Sequence, residues 1–347
     1  MQVLITGGAG FIGSHLADAL LREHHQVSVL DDLSTGSLEN IAHLRANSSF
    51  TFCRGSVFDA DLLDPLLAAC DIVFHLAAAV GVKRIIQNPV ETIQTNVAGT
   101  ELLLRLAARQ QRRVVIASTS EVYGKSTQLP FREDGQLVLG ATTQARWGYA
   151  CSKAIDELMA LAYFREHALP VTIVRLFNTV GPRQSGRYGM VLPTFVTQAL
   201  CGDPITVFGT GEQTRCFTHV GDIAAALLAV MNCGASIGEI YNLGTTDEIS
   251  INQLADAVIK ATQSKSRIVH IPYDRAYTPG FEDMQRRLPD ISKARAAFGF
   301  HSRRSLSEIL SDIIADQANR LNLKERSSSA PPATKTKAPH LPASAAL

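Results

Sequence analysis

The stretch Val3-Leu4-Ile5-Thr6-Gly7-Gly8-Ala9-Gly10-Phe11-Ile12-Gly13 decides the fold of this chain. Its apolar beginning predicts a buried strand, and the spacing Gly8-x-Gly10-x-x-Gly13 predicts a tight turn that leads into a helix. Gly7 adds the overlapping spacing Gly7-x-x-Gly10-x-x-Gly13. Glycines at such a turn let backbone N–H groups approach a pyrophosphate at the positive end of the helix. The stretch therefore predicts a dinucleotide site with contacts from Gly7, Gly10, Phe11, Ile12 and Gly13.

A carboxylate follows the second predicted strand of this unit. Asp31 stands where it can accept hydrogen bonds from the hydroxyls of an adenosine ribose. No basic residue stands beside it in the sequence to meet a 2′-phosphate, so the sequence favours NAD over NADP. We interpret the neighbouring Asp32 as a turn residue.

Short β-branched runs alternate with longer stretches of helical period along the first half of the chain. This pattern is typical of strand–helix–strand units that build a parallel sheet. The sequence predicts a Rossmann-type, doubly wound α/β fold, which binds its ligands at the carboxyl ends of the strands. The predicted elements are strands at Val3–Thr6, Gln26–Leu30, Ile72–Leu76, Val114–Ser118 and Val171–Arg175, and a helix from Asn88 to Gln110.

Gly/Pro punctuation after Asn178 indicates a change of lobe. Residues 1–178 are predicted to form the NAD-binding domain, completed by part of residues 217–245, and residues 179–323 to form mainly a smaller α/β substrate-binding lobe. Residues 324–347 are rich in Ser, Pro, Ala and Lys. They contain too few large apolar groups to offset the entropy of ordering, so we predict a disordered tail.

The composition excludes several classes of partner. Hydrophobic residues make up 46% and charged residues 19% of the chain, which is ordinary for a globular protein. Basic and acidic residues nearly cancel, 33 against 32, so no net charge attracts nucleic acid or a membrane surface. The six cysteines show no metal-ligand spacing. We therefore expect no metal, no membrane segment, no leader and a cytoplasmic location.

Tyr149 and Lys153 are spaced i, i+4 on a predicted helix, so their side chains project from one face. A phenol with a reference pKa of about 10 becomes a base at neutral pH only if cations stabilise its phenolate. Lys153 and an oxidised nicotinamide supply such cations. The pair follows the strand end Ser118-Thr119-Ser120-Glu121 and predicts reversible oxidation of a substrate hydroxyl.

Together these motifs resemble the extended short-chain dehydrogenase/reductase family, specifically its nucleotide-sugar epimerases, dehydratases and decarboxylases. The resemblance covers residues 1 to about 323. The matching segments are Thr6-Gly7-Gly8-Ala9-Gly10-Phe11-Ile12-Gly13, His75-Leu76-Ala77-Ala78, Asn96-Val97-x-Gly99-Thr100, Thr119-Ser120-Glu121-Val122-Tyr123-Gly124, Tyr149-x-x-x-Lys153, Asn178-x-x-Gly181-Pro182-Arg183 and Gln213-Thr214-Arg215.

The resemblance implies an enzyme that oxidises C4 of a nucleotide sugar and works through a 4-keto intermediate. It implies a tightly bound NAD that is regenerated in each cycle, and a homodimer formed through helices around Asn96 and Tyr149. Asn96 would support the Tyr–Lys pair, Thr119 would hydrogen-bond the sugar 4-hydroxyl and Asn178 would contact the diphosphate. Further cofactor contacts are implied for Val57, Leu76, Ala77 and Ala78.

Glu121 helps to separate the possible reactions. A simple 4-epimerase needs no extra acid or base at this strand end, so Glu121 indicates chemistry at C5 or C6. The dTDP-glucose 4,6-dehydratases of the family carry Asp-Glu here, whereas Ser120 precedes Glu121 in this chain, and a dehydratase is therefore less favoured. Ser120 and Glu121 are both assigned to the catalytic site.

Arg287 is the second discriminator. Arg286-Arg287-Leu288-Pro289-Asp290, with the upstream Tyr277-x-x-Gly280-Phe281-x-Asp283, resembles the C-terminal motif of UDP-glucuronate decarboxylases. In those enzymes the matching arginine acts near the sugar carboxylate, and the run Arg146-Trp147-Gly148-Tyr149 resembles them as well. The alternative is that Arg287 only pairs with the diphosphate.

Arginines in the predicted second lobe suit a diphosphate or a uronate, because a guanidinium binds such anions through two hydrogen bonds. Arg187 and Arg215 join Asn178 and Arg287 as predicted substrate-binding residues. Lys83 lies in a segment that looks more like an epimerase loop. The sequence thus favours a UDP-glucuronate decarboxylase that makes UDP-xylose, with a UDP-sugar or UDP-uronate 4-epimerase as the alternative. A non-enzymatic NAD sensor of this fold would generally lack the Tyr–Lys pair.

Overall fold

The structure is a computed structural model that describes residues 1–81, 85, 87–186, 189–276 and 284–328. Lys83, Arg187, the segment Tyr277 to Asp283 and residues 329–347 therefore lie outside the described residues. The predictions made for them stay predictions.

A parallel sheet of seven strands forms the centre of the molecule, and this confirms the predicted fold class. Its strands are β1 (Gln2–Thr6), β2 (Gln26–Asp31), β3 (Phe50–Arg54), β4 (Ile72–His75), β5 (Arg113–Thr119), β6 (Val171–Leu176) and β11 (Ile240–Leu243). They lie in the spatial order β11-β6-β5-β4-β1-β2-β3.

Helices cover both faces of this sheet. They are α1 (Phe11–Arg22), α2 (Ala60–Ala68), α3 (Pro89–Gln110), α4 (Arg146–His167) and α6 (Val220–Asn232). One face packs Leu16 and Leu20 of α1 with Leu227 of α6, and the other packs Leu67 of α2 with Leu103 of α3. Burial on both faces explains why the inner strands are continuous apolar runs.

Two strands of the sheet were not predicted, and both lie at its edges. β3 has a half-exposed pattern with polar side chains at Thr51 and Arg54, and β11 contains Asn242. An edge strand is paired on one side only and needs no continuous apolar run, so the pattern that marks the inner strands is missing here.

The second lobe consists of short strand pairs and three long helices. Its elements are β7 (Thr179–Val180), α5 (Val191–Cys201), β8 (Ile205–Phe208), β9 (Thr214–Cys216), β10 (Thr218–His219), β12 (Glu248–Ser250), α7 (Ile251–Thr262), β13 (Ile268–Ile271), α8 (Tyr273–Ala276) and α10 (Leu306–Ser328). Phe195, Leu254 and Ile313 belong to its separate apolar core. The intervening helix α9 (Ser292–Phe298) packs instead on the first domain, next to α6 and β11.

The C-terminal helix α10 continues into the segment that was predicted to be a disordered tail. It spans Leu306–Ser328, and the predicted disordered tail stays a prediction. The residues Leu323-Lys324-Glu325-Arg326 are good helix formers, which explains the continuation. Among the described residues, no helix combines the length and apolarity that a membrane crossing requires.

Candidate active site

A cavity of about 800 Å³ runs along the carboxyl ends of the sheet strands and continues into the second lobe. It brings together most of the predicted site residues, while Asn96 and Lys153 lie behind its wall. The predicted residues that line it are Gly7, Gly10, Phe11, Ile12, Gly13, Asp31, Val57, Leu76, Ala77, Ala78, Thr119, Ser120, Glu121, Tyr149, Asn178, Arg215 and Arg287.

The glycine-rich turn forms one end of the cavity. Gly7 has a φ of +73°, and a Cβ there would lie 2.7 Å from the backbone nitrogen of Ala77. A Cβ at Gly13 would collide with the carbonyl oxygen of Gly7, so any side chain would push α1 away from the turn. The turn therefore leaves the start of α1 open to a ligand that approaches the backbone closely.

Asp31 places a carboxylate beside this turn. Its Oδ2 accepts a hydrogen bond from Ala9 N at 2.9 Å and its Oδ1 accepts one from Leu33 N at 2.8 Å. Burial raises the pKa of Asp31, and these hydrogen bonds oppose that change. The other polar side chains at this end are those of Asp32, Ser34 and Thr35, and no Lys or Arg is among the described lining residues here. These groups fit ribose hydroxyls rather than a phosphate, and the whole cradle fits NAD.

Asn96 connects the loop after β4 with helix α4. Its Oδ1 accepts a hydrogen bond from Ala79 N at 2.9 Å, and its Nδ2 donates one to Ser152 Oγ at 3.0 Å. Ser152 Oγ in turn donates to the carbonyl oxygen of Tyr149 at 2.8 Å. The side chain of Asn96 is therefore linked through Ser152 to the backbone that carries Tyr149.

Tyr149 projects from α4 into the cavity, where its hydroxyl is hydrogen-bonded to the side chain of Thr119. Burial raises the pKa of Tyr149 well above its usual range, and the negative charge of Glu121 adds to this. Thr119 and Arg287 act in the opposite direction. The phenol is therefore protonated at neutral pH unless a further positive charge comes close.

Glu121 lies at the end of β5, in the 3-10 helix Ser120–Tyr123, between two guanidinium groups. Its Oε1 is 2.8 Å from Arg287 Nη2, and its Oε2 is 3.5 Å from Arg146 Nη2. Burial alone would raise the pKa of Glu121, but these arginines, with a smaller effect from Arg215, lower it to about 2. The carboxyl group is an anion at neutral pH.

The segment that carries Arg287 is held in place by backbone hydrogen bonds. Phe131 N donates to the carbonyl oxygen of Leu288 at 2.8 Å, and Asp290 N donates to the carbonyl oxygen of Phe131 at 2.8 Å. Asn242 Nδ2 also donates to the carbonyl oxygen of Phe131, at 2.9 Å. This pairing brings Arg287 to the carboxyl end of β5 although the two are far apart in the sequence.

The far end of the cavity lies in the second lobe. Asn178 Nδ2 donates to the carbonyl oxygen of Cys216 at 3.2 Å, and Arg215 Nη1 donates to the carbonyl oxygen of Thr214 at 2.7 Å. Apolar side chains complete the wall, among them Val191, Pro193, Phe208, Phe217 and Ile251. Cations beside an apolar wall suit a ligand with both a phosphate and a base.

Sequence reasoning assigned no role to Arg146, which is a cavity residue. It begins α4 three residues before Tyr149 and pairs with Glu121. The sequence could have indicated Arg146 through its i, i+3 spacing to Tyr149, which places both side chains on one face of the helix. The apolar wall of the second lobe was also missed, because it comes from separate segments that share no motif.

This fold and this arrangement of Tyr149, Lys153 and the glycine-rich turn define an NAD-dependent enzyme of the extended short-chain dehydrogenase/reductase type. The chain belongs to the GDP-mannose 4,6-dehydratase family, whose model matches residues 4–313. The predicted family and cofactor are thereby confirmed.

The relatives of the chain are nucleotide-sugar enzymes. A UDP-N-acetyl-alpha-D-glucosaminuronate decarboxylase of Bacillus cytotoxicus is 43% identical over 314 residues, which cover 90% of this chain and 96% of that protein. UDP-glucuronic acid decarboxylase 1 of Danio rerio is 35% identical over 323 residues, covering 90% and 72%. The crystal structure of UDP-glucuronic acid 4-epimerase from Bacillus cereus, with UDP-glucuronic acid and NAD, has a TM-score of 0.84 at 29% identity and covers 92% of this chain and 100% of that chain.

Proposed function

We propose that this chain is an NAD-dependent UDP-uronate decarboxylase that converts UDP-glucuronate to UDP-xylose. The observation that carries the proposal is the ion pair of Glu121 and Arg287 on the wall of the cavity that also holds Tyr149. The decarboxylase relatives support the same reaction.

Charge favours a substrate with a carboxylate. Arg146, Arg215 and Arg287 contribute three positive charges to the cavity wall, and Glu121 pairs with two of these arginines. The other acidic lining residues are Asp31 and Asp32 at the cofactor end and Glu91 on α3, so the positive charge is concentrated around Glu121 and in the second lobe. A nucleotide sugar brings a diphosphate, and a uronate adds one more negative charge beside the sugar. In this proposal Arg287 pairs with the sugar carboxylate, while Arg215 and Asn178 hold the diphosphate.

The reaction begins at C4 of the sugar. NAD, held by the glycine-rich turn and Asp31, would supply the hydride acceptor for C4 and the hydride donor for the final reduction. In this proposal Tyr149 takes the proton of the sugar 4-hydroxyl. Thr119, which is hydrogen-bonded to the phenol of Tyr149, orients the sugar 4-hydroxyl beside it. Lys153 and Asn96 act from behind the cavity wall, Lys153 through its charge and Asn96 through the backbone of Tyr149.

Decarboxylation follows because the 4-ketone makes the uronate a β-keto acid. When carbon dioxide leaves, the electron pair of the C5–C6 bond moves toward the ketone, and C5 then needs a proton. Glu121, with a pKa of about 2, is not a proton donor at neutral pH, so in this proposal it orients a water molecule that gives its proton to C5. The hydroxide that remains takes a proton from the solvent. Tyr149 returns its proton to the C4 oxygen when the ketone is reduced.

The test is to incubate the NAD-loaded protein with UDP-glucuronate and to measure carbon dioxide and UDP-xylose. We expect equal amounts of both, with no net consumption of NAD. UDP-N-acetylglucosaminuronate is assayed in parallel, because the Bacillus cytotoxicus relative carries the name of that substrate. Conversion of UDP-glucuronate to UDP-galacturonate without loss of carbon would contradict the proposal.

A 4-epimerase is the second candidate, favoured by the TM-score of 0.84 to the UDP-glucuronic acid 4-epimerase structure. An epimerase must let the keto sugar turn over in the cavity. The Glu121–Arg287 pair instead provides a fixed charged contact on one wall, and this is why we place decarboxylation first.

The proposal includes a homodimer, tight retention of NAD and a cytoplasmic location. Val90 of α3 and Leu158 of α4 are exposed apolar side chains, at 66% and 68%, and such a surface suits a second copy of this chain. All six cysteines are free thiols, which is typical of a reducing compartment.

A further inference from the structure

The buried carboxylate of Asp156 lies on α4 just after Lys153, and the proposed reaction does not use it. Its Oδ2 accepts a hydrogen bond from Lys153 Nζ at 2.6 Å, and the side chains of Lys153 and Asp156 are 2% and 0% exposed. Neither residue lines the cavity. The ammonium one helical turn after Tyr149 is therefore held from behind by a carboxylate.

Polar side chains also lie on the cofactor side of this pair. The side chain of Thr100 on α3 lowers the pKa of Asp156. Thr100 Oγ1 lies 3.2 Å from His75 Nε2, and His75 Nδ1 lies 2.8 Å from Thr6 Oγ1. Thr6 is the last residue of β1, directly before the glycine-rich turn. A row of buried polar side chains thus leads from Thr100 to that turn.

The charges around these groups have opposing effects. Toward Tyr149, Asp156 and Glu121 disfavour the phenolate, whereas Thr119 and Arg287 favour it.

Toward Asp156 itself, burial raises the pKa, and Lys153 and Thr100 lower it. Glu157, the next residue on the helix, adds a small upward effect. Burial and the charge of Lys153 lower the pKa of His75, which faces Lys153 from β4, to about 3, so the imidazole brings no charge at neutral pH.

We propose that Asp156 is a positioning residue that restrains the ammonium of Lys153 and offsets part of its charge, so that Tyr149 depends more on the oxidised cofactor to become a base. This rests on the proposed role of Tyr149. The charge of Lys153 favours the phenolate in every state of the cofactor. With Asp156 in place this effect is smaller, and the positive charge of the oxidised nicotinamide has a larger share in removing the proton of the phenol. Tyr149 then keeps the proton through the keto stage and has it ready for the final reduction.

The test is the Asp156→Asn variant, which keeps the size of the side chain and removes its charge. The ionisation of Tyr149 is followed by ultraviolet difference titration of the NAD-loaded protein, with the Tyr149→Phe spectrum as the reference. We expect the pKa of Tyr149 to fall by roughly 0.5 to 1 unit. The acidic limb of the pH–rate profile moves to lower pH by the same amount, and Asp156→Glu restores the original values.

The matched control is Asp222→Asn. Asp222 is also a buried carboxylate in an ion pair, with Arg304 at 3.0 Å, but it lies on α6 outside the cavity. This variant loses stability and leaves the pKa of Tyr149 unchanged.

An unchanged pKa of Tyr149 in Asp156→Asn, or an equal shift in Asp222→Asn, would overturn the proposal. If Asp156→Asn does not fold, Asp156→Leu removes the same charge with a good helix former, and the same shift is expected. The titration needs no substrate. A protein that leaves UDP-glucuronate unchanged would therefore refute the proposed function and not this inference.

Discussion

Glu121 shows how one residue is set for its task by its neighbours. Its carboxylate is nearly buried, which on its own favours the neutral form, yet Arg287 and Arg146 keep it ionised with a pKa of about 2. Removing its charge would leave the guanidinium groups of Arg146 and Arg287 close together without the carboxylate that now lies between them. Arg287 would then lose its 2.8 Å contact with Glu121.

We expect Glu121→Gln to reduce the rate of carbon dioxide release from UDP-glucuronate by about 10²- to 10⁴-fold, the usual range for a lost catalytic group. The measurement is kcat with saturating substrate. Glu248→Gln is the control, because Glu248 also pairs with an arginine of the same segment, Arg286, but outside the cavity. Full carbon dioxide release in Glu121→Gln would show that the charge of Glu121 has no part in decarboxylation.

His75 ties the stability of the protein to pH. Burial first, and then the charge of Lys153, lower its pKa from 6.5 to about 3. The unfolded chain therefore binds a proton more readily than the folded one, and the free energy of unfolding falls as the pH drops below about 6.5. His15, whose pKa burial lowers to about 4, contributes in the same direction.

The free energy of unfolding of the wild-type protein falls as the pH drops from neutral to mildly acidic. We expect this fall to be smaller in His75→Asn, by about 1 kcal/mol per pH unit. Urea unfolding at a series of pH values measures this slope. The exposed His301 provides the comparison, since His301→Asn should keep the wild-type slope. Equal slopes in all three proteins would show that His75 is not the group responsible.

At the level of elements, α3 and α4 present an apolar surface outward. In addition to Val90 and Leu158, Ile93 and Ile155 are exposed on these two helices. The opposite sides of both helices are already used by the core and by Asn96 and Lys153. A second copy seated on this surface would rest directly behind the catalytic side chains.

We expect Leu158→Glu to convert the proposed dimer into monomers, because it places a charge in an apolar interface. Light scattering coupled to size-exclusion chromatography measures the mass. Leu137→Glu changes another exposed leucine that lies off these helices and should leave the mass unchanged. A wild-type protein that is already monomeric would rule out the dimer.

The inner elements were predictable because their burial leaves a clear pattern. α3 was expected from Asn88 to Gln110 and spans Pro89–Gln110, and the inner strands agree as closely. The edge strands β3 and β11 were not, since pairing on one side relaxes the demand for apolar residues.

For the molecule as a whole, the cofactor half of the site could be predicted better than the substrate half. The glycine-rich turn and Asp31 each directly follow a strand, and Tyr149 and Lys153 lie one helical turn apart. These relations are visible in the sequence as fixed spacings. Arg287 and the wall around Phe208 come from segments far from the first domain in the sequence. The partner of Lys153 was not predicted, because nothing in an i, i+3 Lys–Asp spacing distinguishes a buried pair from an exposed one.

The second lobe is assembled from three separate stretches of chain. Its core takes Leu192 and Phe195 from the first stretch, Leu254 and Val258 from the second and Ile309 and Ile313 from the third. Between these stretches the chain returns to the first domain, to build α6 and β11 and then α9. Exchange of the lobe as a module would therefore require all of its junctions with the first domain to match at once. A substitution in the cavity wall has no such requirement, so this architecture favours changes of substrate preference by single substitutions over exchange of the lobe.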